Sequence, residues 1–125
     1  MKRIIQTKNA PAAVGPYSQA VEINGTLYVA GQIPIDPASG KIEAEDIKGQ
    51  TRQSLKNVEA ILTEAGYSLS DVVKSTCLLA DMSLFKEMNE VYSEFYRENQ
   101  PARAAFAVKG LPLGALIEIE TIAVK

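Results

Sequence analysis

The chain has no histidine, and Cys77 is its only cysteine. The first absence removes the Ser-His-Asp and Cys-His nucleophilic arrangements and any zinc site built on imidazole. The second rules out an internal disulfide and a CxxC metal or redox site. No apolar run approaches the ~20 residues of a membrane span. The opening MKRIIQTKNAPAAVGPY is basic at its start but lacks the apolar stretch of a secretory signal, so a cytoplasmic, reducing compartment is expected. Positive charge is spread along the chain. Thirteen Lys and Arg against fifteen Asp and Glu leave a net charge of −2 with no basic run, which argues against a dedicated nucleic-acid surface. The 46% hydrophobic and 22% charged residues are an ordinary globular balance. One domain, residues 1–125, can bury a core without staples.

Turn signals and a change of period divide the chain. AVEI and TLYVAG flank Asn24-Gly25, which supplies the positive φ angles of a type I′ turn, so residues 20–31 read as a tight hairpin. Ile4 and Ile5 suggest a short strand before it. From Asp46 the period becomes helical: Ile47, Thr51, Leu55, Val58, Ile61, Leu62 and Ala65 form one face, with Gly66 at the C-terminal cap. Residues 71–80 read as a strand. A second helix is predicted from about Ser83 to Glu98, with a Phe85, Met88, Val91, Tyr92, Phe95 and Tyr96 stripe and Pro101 as its stop. Strands at Arg103–Val108 and Ala115–Val124 follow. The order β-β-β-α-β-α-β-β is α+β, a mixed sheet with two helices on one face.

QPARAAFAV, residues 100–108, sets a problem: Arg103 stands in a run of alanines with no partner in sight. If the last two strands form a symmetric hairpin around KGLPLG, Arg103 lies near Glu120 and Ala105 near Glu118. Alternation then puts Ala104, Phe106 and Val108 on the helix face with Ile117, Ile119, Thr121 and Ala123. Arg103, Ala105 and Ala107 share the other face with Glu118, Glu120 and Ile122. One reading of that face is a solvated cross-strand ion pair, worth only ~0–1 kcal/mol. The other is a subunit interface with a charged pocket, because the face is also small and apolar and an arginine suits two-point recognition of a carboxylate. Cys77, in VVKSTCLLA, reads as core, and Tyr92, Phe95 and Tyr96 as core or helix cover. Lys48, Arg52, Lys56 and Glu59 read as a solvated helix face, and Asp36 as a turn residue.

Five stretches in order resemble the RidA family (also called YjgF, or endoribonuclease L-PSP), the reactive-intermediate imine/enamine deaminases. They are APAAVGPYSQA, GQIP, QTRQSLKNVEAIL, NEVYSEFY and PARAAFAVKGLPLGALIEIETIAV, and together they span essentially the whole chain. The resemblance implies a chorismate-mutase-like fold in a homotrimer, its sheets forming an inner barrel and its sites lying at subunit interfaces. It implies a 2-iminobutanoate/2-iminopropanoate deaminase that hydrolyses enamines and imines such as 2-aminoacrylate to 2-keto acids and ammonia, without cofactor or metal. Its partners would be small 2-imino and 2-keto acids and further copies of itself, not a membrane or nucleic acid. By position, Arg103 is similar to the arginine that grips the substrate carboxylate, and Glu118 to the glutamate that holds the attacking water. A nearby Arg103 would favour the ionised Glu118. Tyr17 would line the pocket and Gly31 would offer backbone hydrogen bonds. Two positions depart from the family's pattern. Ala105 stands where many members have a cysteine, which leaves only a backbone role there, and Ala30 where a serine is frequent. The rival readings are a regulatory trimer that binds a metabolite without important catalysis, a translation inhibitor or ribonuclease-like activity, and a chaperone-like surface.

Overall fold

The computed structural model describes residues 1–125. Its strands are β1 (Arg3–Ile5), β2 (Ala20–Ile23), β3 (Thr26–Gln32), β4 (Ile35–Asp36), β5 (Lys41–Ile42), β6 (Val72–Leu79), β7 (Ala102–Ala107) and β8 (Ile117–Val124). Its helices are α1 (Ile47–Ala65) and α2 (Phe85–Phe95). The expected α+β order is present, with a small two-stranded β4–β5 ribbon added inside the long loop after β3.

Local chemistry sets the element ends. Asn24 and Gly25 take φ of 49° and 79°, as the tight turn between β2 and β3 requires. The Asp46 carboxylate accepts from the Gly49 N–H at 3.3 Å and caps α1. Gly66 closes the helix at φ 84°, and its neighbour Tyr67 donates its N–H back to the Leu62 carbonyl at 2.8 Å. The α1 stripe is fully buried at Leu55, Val58, Ile61 and Leu62. Each such side chain contributes roughly 1.5–3 kcal/mol. The second helix is shorter than its apolar stripe suggests. It starts after a turn at Met82–Leu84 and ends at Phe95. The chain then turns early, Asn99 adopting a positive φ, so that the buried Tyr96 packs its ring 4.8 Å from that of Tyr92 and residues 96–100 reach Pro101 outside the helix.

The six-stranded sheet runs β1-β2-β3-β8-β6-β7. β8 is antiparallel to both β3 and β6, and β7 is parallel to β6 at the edge. The hairpin expected between the last two strands therefore does not form. α2 joins β6 to β7, and a helical crossover of that kind delivers the chain to a parallel neighbour. That pairing occupies β7 and leaves β8 to insert between β3 and β6. Arg103 consequently pairs with Ser75, not near Glu120, and Ala105 pairs with Cys77, not near Glu118.

The change of neighbour also reverses the faces of β7. Ser75, Cys77 and Leu79 of β6 are buried under the helices with Ile117, Ile119 and Thr121 of β8, as predicted for β8. Their β7 partners are Arg103, Ala105 and Ala107, so these three share the helix side. Ala104 and Phe106 lie on the other side with Thr76, Leu78, Glu118 and Glu120. No helix covers that second side. Tyr28, Ile122 and Phe106 stand on it beside Lys74 and Glu120, and Tyr28 and Phe106 are about half exposed. Between the helices, Lys48 pairs with Glu90 at 2.8 Å and Arg52 with Glu94 at 3.3 Å, so part of the face read as solvated bridges α1 to α2. Asp36 is the turn residue expected, its side chain accepting from the Ala38 N–H at 2.9 Å.

Candidate active site

Glu118 projects from the uncovered side of β8 next to an irregularity in β3. Val29 pairs with Thr121 and Gln32 with Ile119, so Ala30 and Gly31 together face Glu120 alone. This is a β-bulge, which bends a strand and re-aims its residues. The bulge brings the Gly31 backbone under the Glu118 carboxylate. A Cβ at Gly31 would overlap Oε2 and lie 2.8 Å from the carboxyl carbon. A side chain here would displace the Glu118 carboxylate, so glycine lets that carboxylate rest directly on main chain. Partial burial pushes the Glu118 carboxyl above the usual carboxylate range, and Glu120 pushes it the same way. The expected help of Arg103 in ionising Glu118 is therefore absent within one chain.

Around Glu118 three loops wall a cleft of about 580 Å³, with Tyr17, Val14, Ile33, Ile35 and Leu113 among its lining. Loops cannot hold a cavity by periodic hydrogen bonding, and buried amide side chains do so here. Gln19 accepts the Thr7 N–H at 2.7 Å and donates to the carbonyls of Thr7 (3.0 Å), Ala10 (3.3 Å) and Pro11 (2.8 Å), which fixes the start of the loop carrying Tyr17. Asn57 of α1 donates to the carbonyls of Ile33 (3.3 Å) and Ile35 (2.9 Å) and accepts from Gln53 at 2.9 Å. Gln50 accepts the Leu116 N–H at 2.8 Å, behind the Pro112–Gly114 turn. All three amides are buried. A single sequence hides such roles, because a buried Gln or Asn looks like any surface amide. The motif positions of Gln19 and Asn57 were the only available signal.

Arg103 lies elsewhere. Its guanidinium sits 4.7 Å from the Tyr92 ring centroid and 5.4 Å from that of Phe85, and Nη1 donates to Asn89 Oδ1 at 2.7 Å. Two aromatic faces and one amide from α2 thus hold the cation. No carboxylate of the chain comes within ion-pair distance, the three ion pairs being Arg3–Glu22, Lys48–Glu90 and Arg52–Glu94. The guanidinium, a planar fork suited to a carboxylate, also lines a depression with Ser93 and Gln100. Under the aromatic pair, the hydroxyls of Ser75, Tyr92 and Tyr96 are buried without a hydrogen-bond partner, and burial raises both phenols.

The structure therefore brings Tyr17, Gly31 and Glu118 together and leaves Arg103 and Ala105 apart from them. Arg103 and Glu118 are offset by three residues along β6, about 10 Å, and by two strand spacings, about 10 Å, and they point to opposite sides of the sheet. Ala105 packs against the core beside Cys77, whose thiol burial drives up to about 11. The only thiol thus faces the alanine across two strands and is inert. Asn89, Phe85 and Tyr92 are neighbours of Arg103 that spacing alone could not find. Tyr92 is core, as expected, but it also presents a ring face to Arg103. No cluster of three potential metal-ligating side chains exists, and no helix is long and apolar enough to cross a membrane.

The family model described as Endoribonuclease L-PSP matches residues 7–125. A RutC family protein of Pyrococcus horikoshii is 57% identical over 125 residues, covering all of this chain and 99% of that protein. The human 2-iminobutanoate/2-iminopropanoate deaminase is 46% identical over 125 residues, covering all of this chain and 91% of that protein. Among solved structures, RidA from an Antarctic Psychrobacter matches with a TM-score of 0.95 at 46% identity, covering 98% of this chain and 99% of the other. Escherichia coli TdcF, solved with bound serine, matches with a TM-score of 0.94 at 41% identity, covering 98% of each chain. The chain belongs to the endoribonuclease L-PSP family, the family of RidA and YjgF.

Proposed function

We propose that this member of the endoribonuclease L-PSP family is a 2-iminobutanoate/2-iminopropanoate deaminase. It would work without a cofactor as a homotrimer, with Arg103 of one copy and Glu118 of the next meeting at each interface. One observation carries the reading: the chain holds a carboxylate-binding cation with no carboxylate, and a poised carboxylate with no cation, on opposite sides of one sheet. A small 2-imino acid cannot reach both within a single chain. The uncovered sheet side, with its half-exposed Tyr28 and Phe106, is the kind of surface that a second copy covers.

In this arrangement Arg103 binds the substrate carboxylate and fixes C2, with Asn89 and the two rings holding the guanidinium in place. The gain is one of proximity. Glu118 orients a water and takes its proton as oxygen adds to C2 of the imine, a role worth ~10²–10⁴-fold. The tetrahedral carbinolamine then expels its nitrogen as ammonia, leaving the 2-keto acid. Imine plus water thus balances keto acid plus ammonia. The raised Glu118 suits both taking and returning a proton. Gly31 supplies main chain beside the reacting atoms, Tyr17 closes one wall, and Ala105 contributes through backbone and small size alone. The serine bound by TdcF and the name of the human relative agree with an amino-acid-like ligand. RNA cleavage finds less support, since the chain is net acidic and has no histidine.

The test is a coupled assay. 2-Aminoacrylate or the threonine-derived 2-iminobutanoate is generated in situ and keto-acid release is followed. Wild type accelerates release, and Arg103→Ala loses about 100-fold or more in kcat/KM while keeping its assembly state. No acceleration by wild type would overturn the deaminase reading for these substrates.

A further inference from the structure

Gln32 is a buried amide on a strand, and no step of the proposed hydrolysis uses its side chain. It pairs with Ile119, which is buried under the helices, so Gln32 points to the helix side of the sheet and away from Glu118. It is 5% exposed within a single chain, so its burial does not depend on assembly. Burying an amide is costly unless its hydrogen bonds are made, and a leucine or methionine would fill the same space. The amide has a local task instead. Its Nε2 donates to the Ala30 carbonyl at 3.2 Å, within the bulge. The Ala30 N–H donates to the Gln19 carbonyl at 2.9 Å. A bulge interrupts the ladder, and the peptide groups it frees must find other partners. Ala30 is thus held at both its polar groups, the N–H by main chain and the carbonyl by Gln32. Gly31 follows directly, and a Cβ there would overlap Glu118 Oε2. Where the bulge sits therefore decides where that carboxylate sits.

We infer that Gln32 is a positioning residue for Glu118: its amide holds the Ala30 carbonyl from the helix side of the sheet, fixes the bulge, and so sets where Gly31 seats the Glu118 carboxylate on the other side. The inference rests on the deaminase reading for its consequence in rate, whereas the brace itself is a matter of hydrogen bonding. A general base must lie about 2.6–3.2 Å from the proton it takes, and a misplacement of about 1 Å costs on the order of 100-fold. Without the Gln32 donor the Ala30 carbonyl loses its partner, and the bulge relaxes with Gly31 and Glu118 on it. Arg103 is held by α2 and stays in place. The chemical step therefore slows while the grip on the substrate carboxylate is kept.

The experiment compares Gln32→Met, which keeps length and volume but removes the donor, with Tyr67→Phe, which loses the 2.7 Å hydrogen bond to Glu22 outside the cleft. In the coupled assay Gln32→Met lowers kcat about tenfold or more and leaves KM within about twofold. Tyr67→Phe leaves both as they are, so lost stability alone does not account for the effect. Gln32→Asn keeps an amide in the core but is one methylene short of the Ala30 carbonyl, and it behaves as Gln32→Met does. Circular dichroism checks that the variants fold. An unchanged kcat, or a loss carried wholly by KM, overturns the inference. Amide hydrogen exchange reads the brace without any chemistry. Exchange at Ala30 speeds up about tenfold or more in Gln32→Met, while Leu27, in the regular part of β3, keeps its rate. Equal rates at Ala30 in wild type and Gln32→Met overturn the inference whatever the assay gives. If wild type hydrolyses no imine above background, the deaminase reading fails by itself, and the exchange result alone decides whether Gln32 holds the bulge under Glu118.

Discussion

The Glu118 region and the Arg103 region are built in opposite ways. Glu118 stands over a bulge and among loops, and its surroundings are held by buried amides that hydrogen-bond to main chain. Arg103 stands on a short edge strand against a helix, held by two ring faces and one exposed amide. The first is tightly cross-linked, so its energetic supports lie inside the fold. The second is held by side chains of one helix, of which Tyr92 also belongs to the core and Asn89 is exposed. A base must be placed to within a fraction of an ångström of its proton, whereas a cation that grips a carboxylate can tolerate an open, solvent-facing seat. In the proposed function neither region alone would be a site, Glu118 being the base beside the cleft and Arg103 the anion grip.

The largest effect would come from testing whether the two regions complete each other across chains. Arg103→Ala and Glu118→Gln each lower kcat/KM by about 100-fold or more. Co-expressed in equal amounts as a random cyclic trimer, they leave one intact pairing in each mixed ring, or about a quarter of all sites. Activity recovered to about that level separates a shared site from two unrelated features. A mixture as inactive as its parents would break the pairing.

A smaller effect sharpens the contrast in how the regions are held. Gln19→Ala orphans one N–H and three carbonyls and costs about 1–3 kcal/mol in denaturant unfolding at fixed protein concentration. Asn89→Ala costs no more than about 0.5 kcal/mol, since its contact is exposed. It nevertheless weakens substrate binding about tenfold, chiefly as a raised KM. Equal destabilisation by the two would remove the distinction.

The smallest effect concerns pH. As the proposed base, Glu118 would act only when ionised, and within one chain burial and Glu120 both raise its pKa. Both therefore raise the acid limb of the kcat/KM profile, while an Arg103 brought in by the next copy would lower it. Glu120→Gln removes the lesser of the two causes and moves the limb to lower pH. Activity then rises on the acid side and stays level on the plateau. The sign for stability is the reverse of the usual carboxylate. A folded pKa above the unfolded one favours the fold at low pH, and that contribution is lost as pH rises through the folded value. A limb unmoved by Glu120→Gln would mean that burial alone perturbs Glu118.

Much of the molecule was legible as text. The Asn24-Gly25 turn, the α1 stripe between Asp46 and Gly66, the core position of Cys77 and the alternation of Ile117, Ile119, Thr121 and Ala123 follow from capping, turn chemistry and period. These effects act over a few residues and leave a local mark. Tyr17, Gly31 and Glu118 were found through motifs, and the fold brought them together at one cleft. The partnership of β7 was not legible. Its alanine-rich pattern fits either face, and whether it sits beside β8 or β6 depends on where α2 returns the chain. That single choice turned Arg103 from the company of Glu120 to that of Asn89, Phe85 and Tyr92. By itself, then, the sequence determined the main elements, the Gly66 cap and the buried side of β8, because short-range hydrogen bonding and hydrophobic period suffice for those. Strand neighbours, the bulge that lays Gly31 under Glu118 and the buried amides that brace the cleft were decided only in the tertiary structure, where residues far apart in the chain compete for the same hydrogen bonds and the same space.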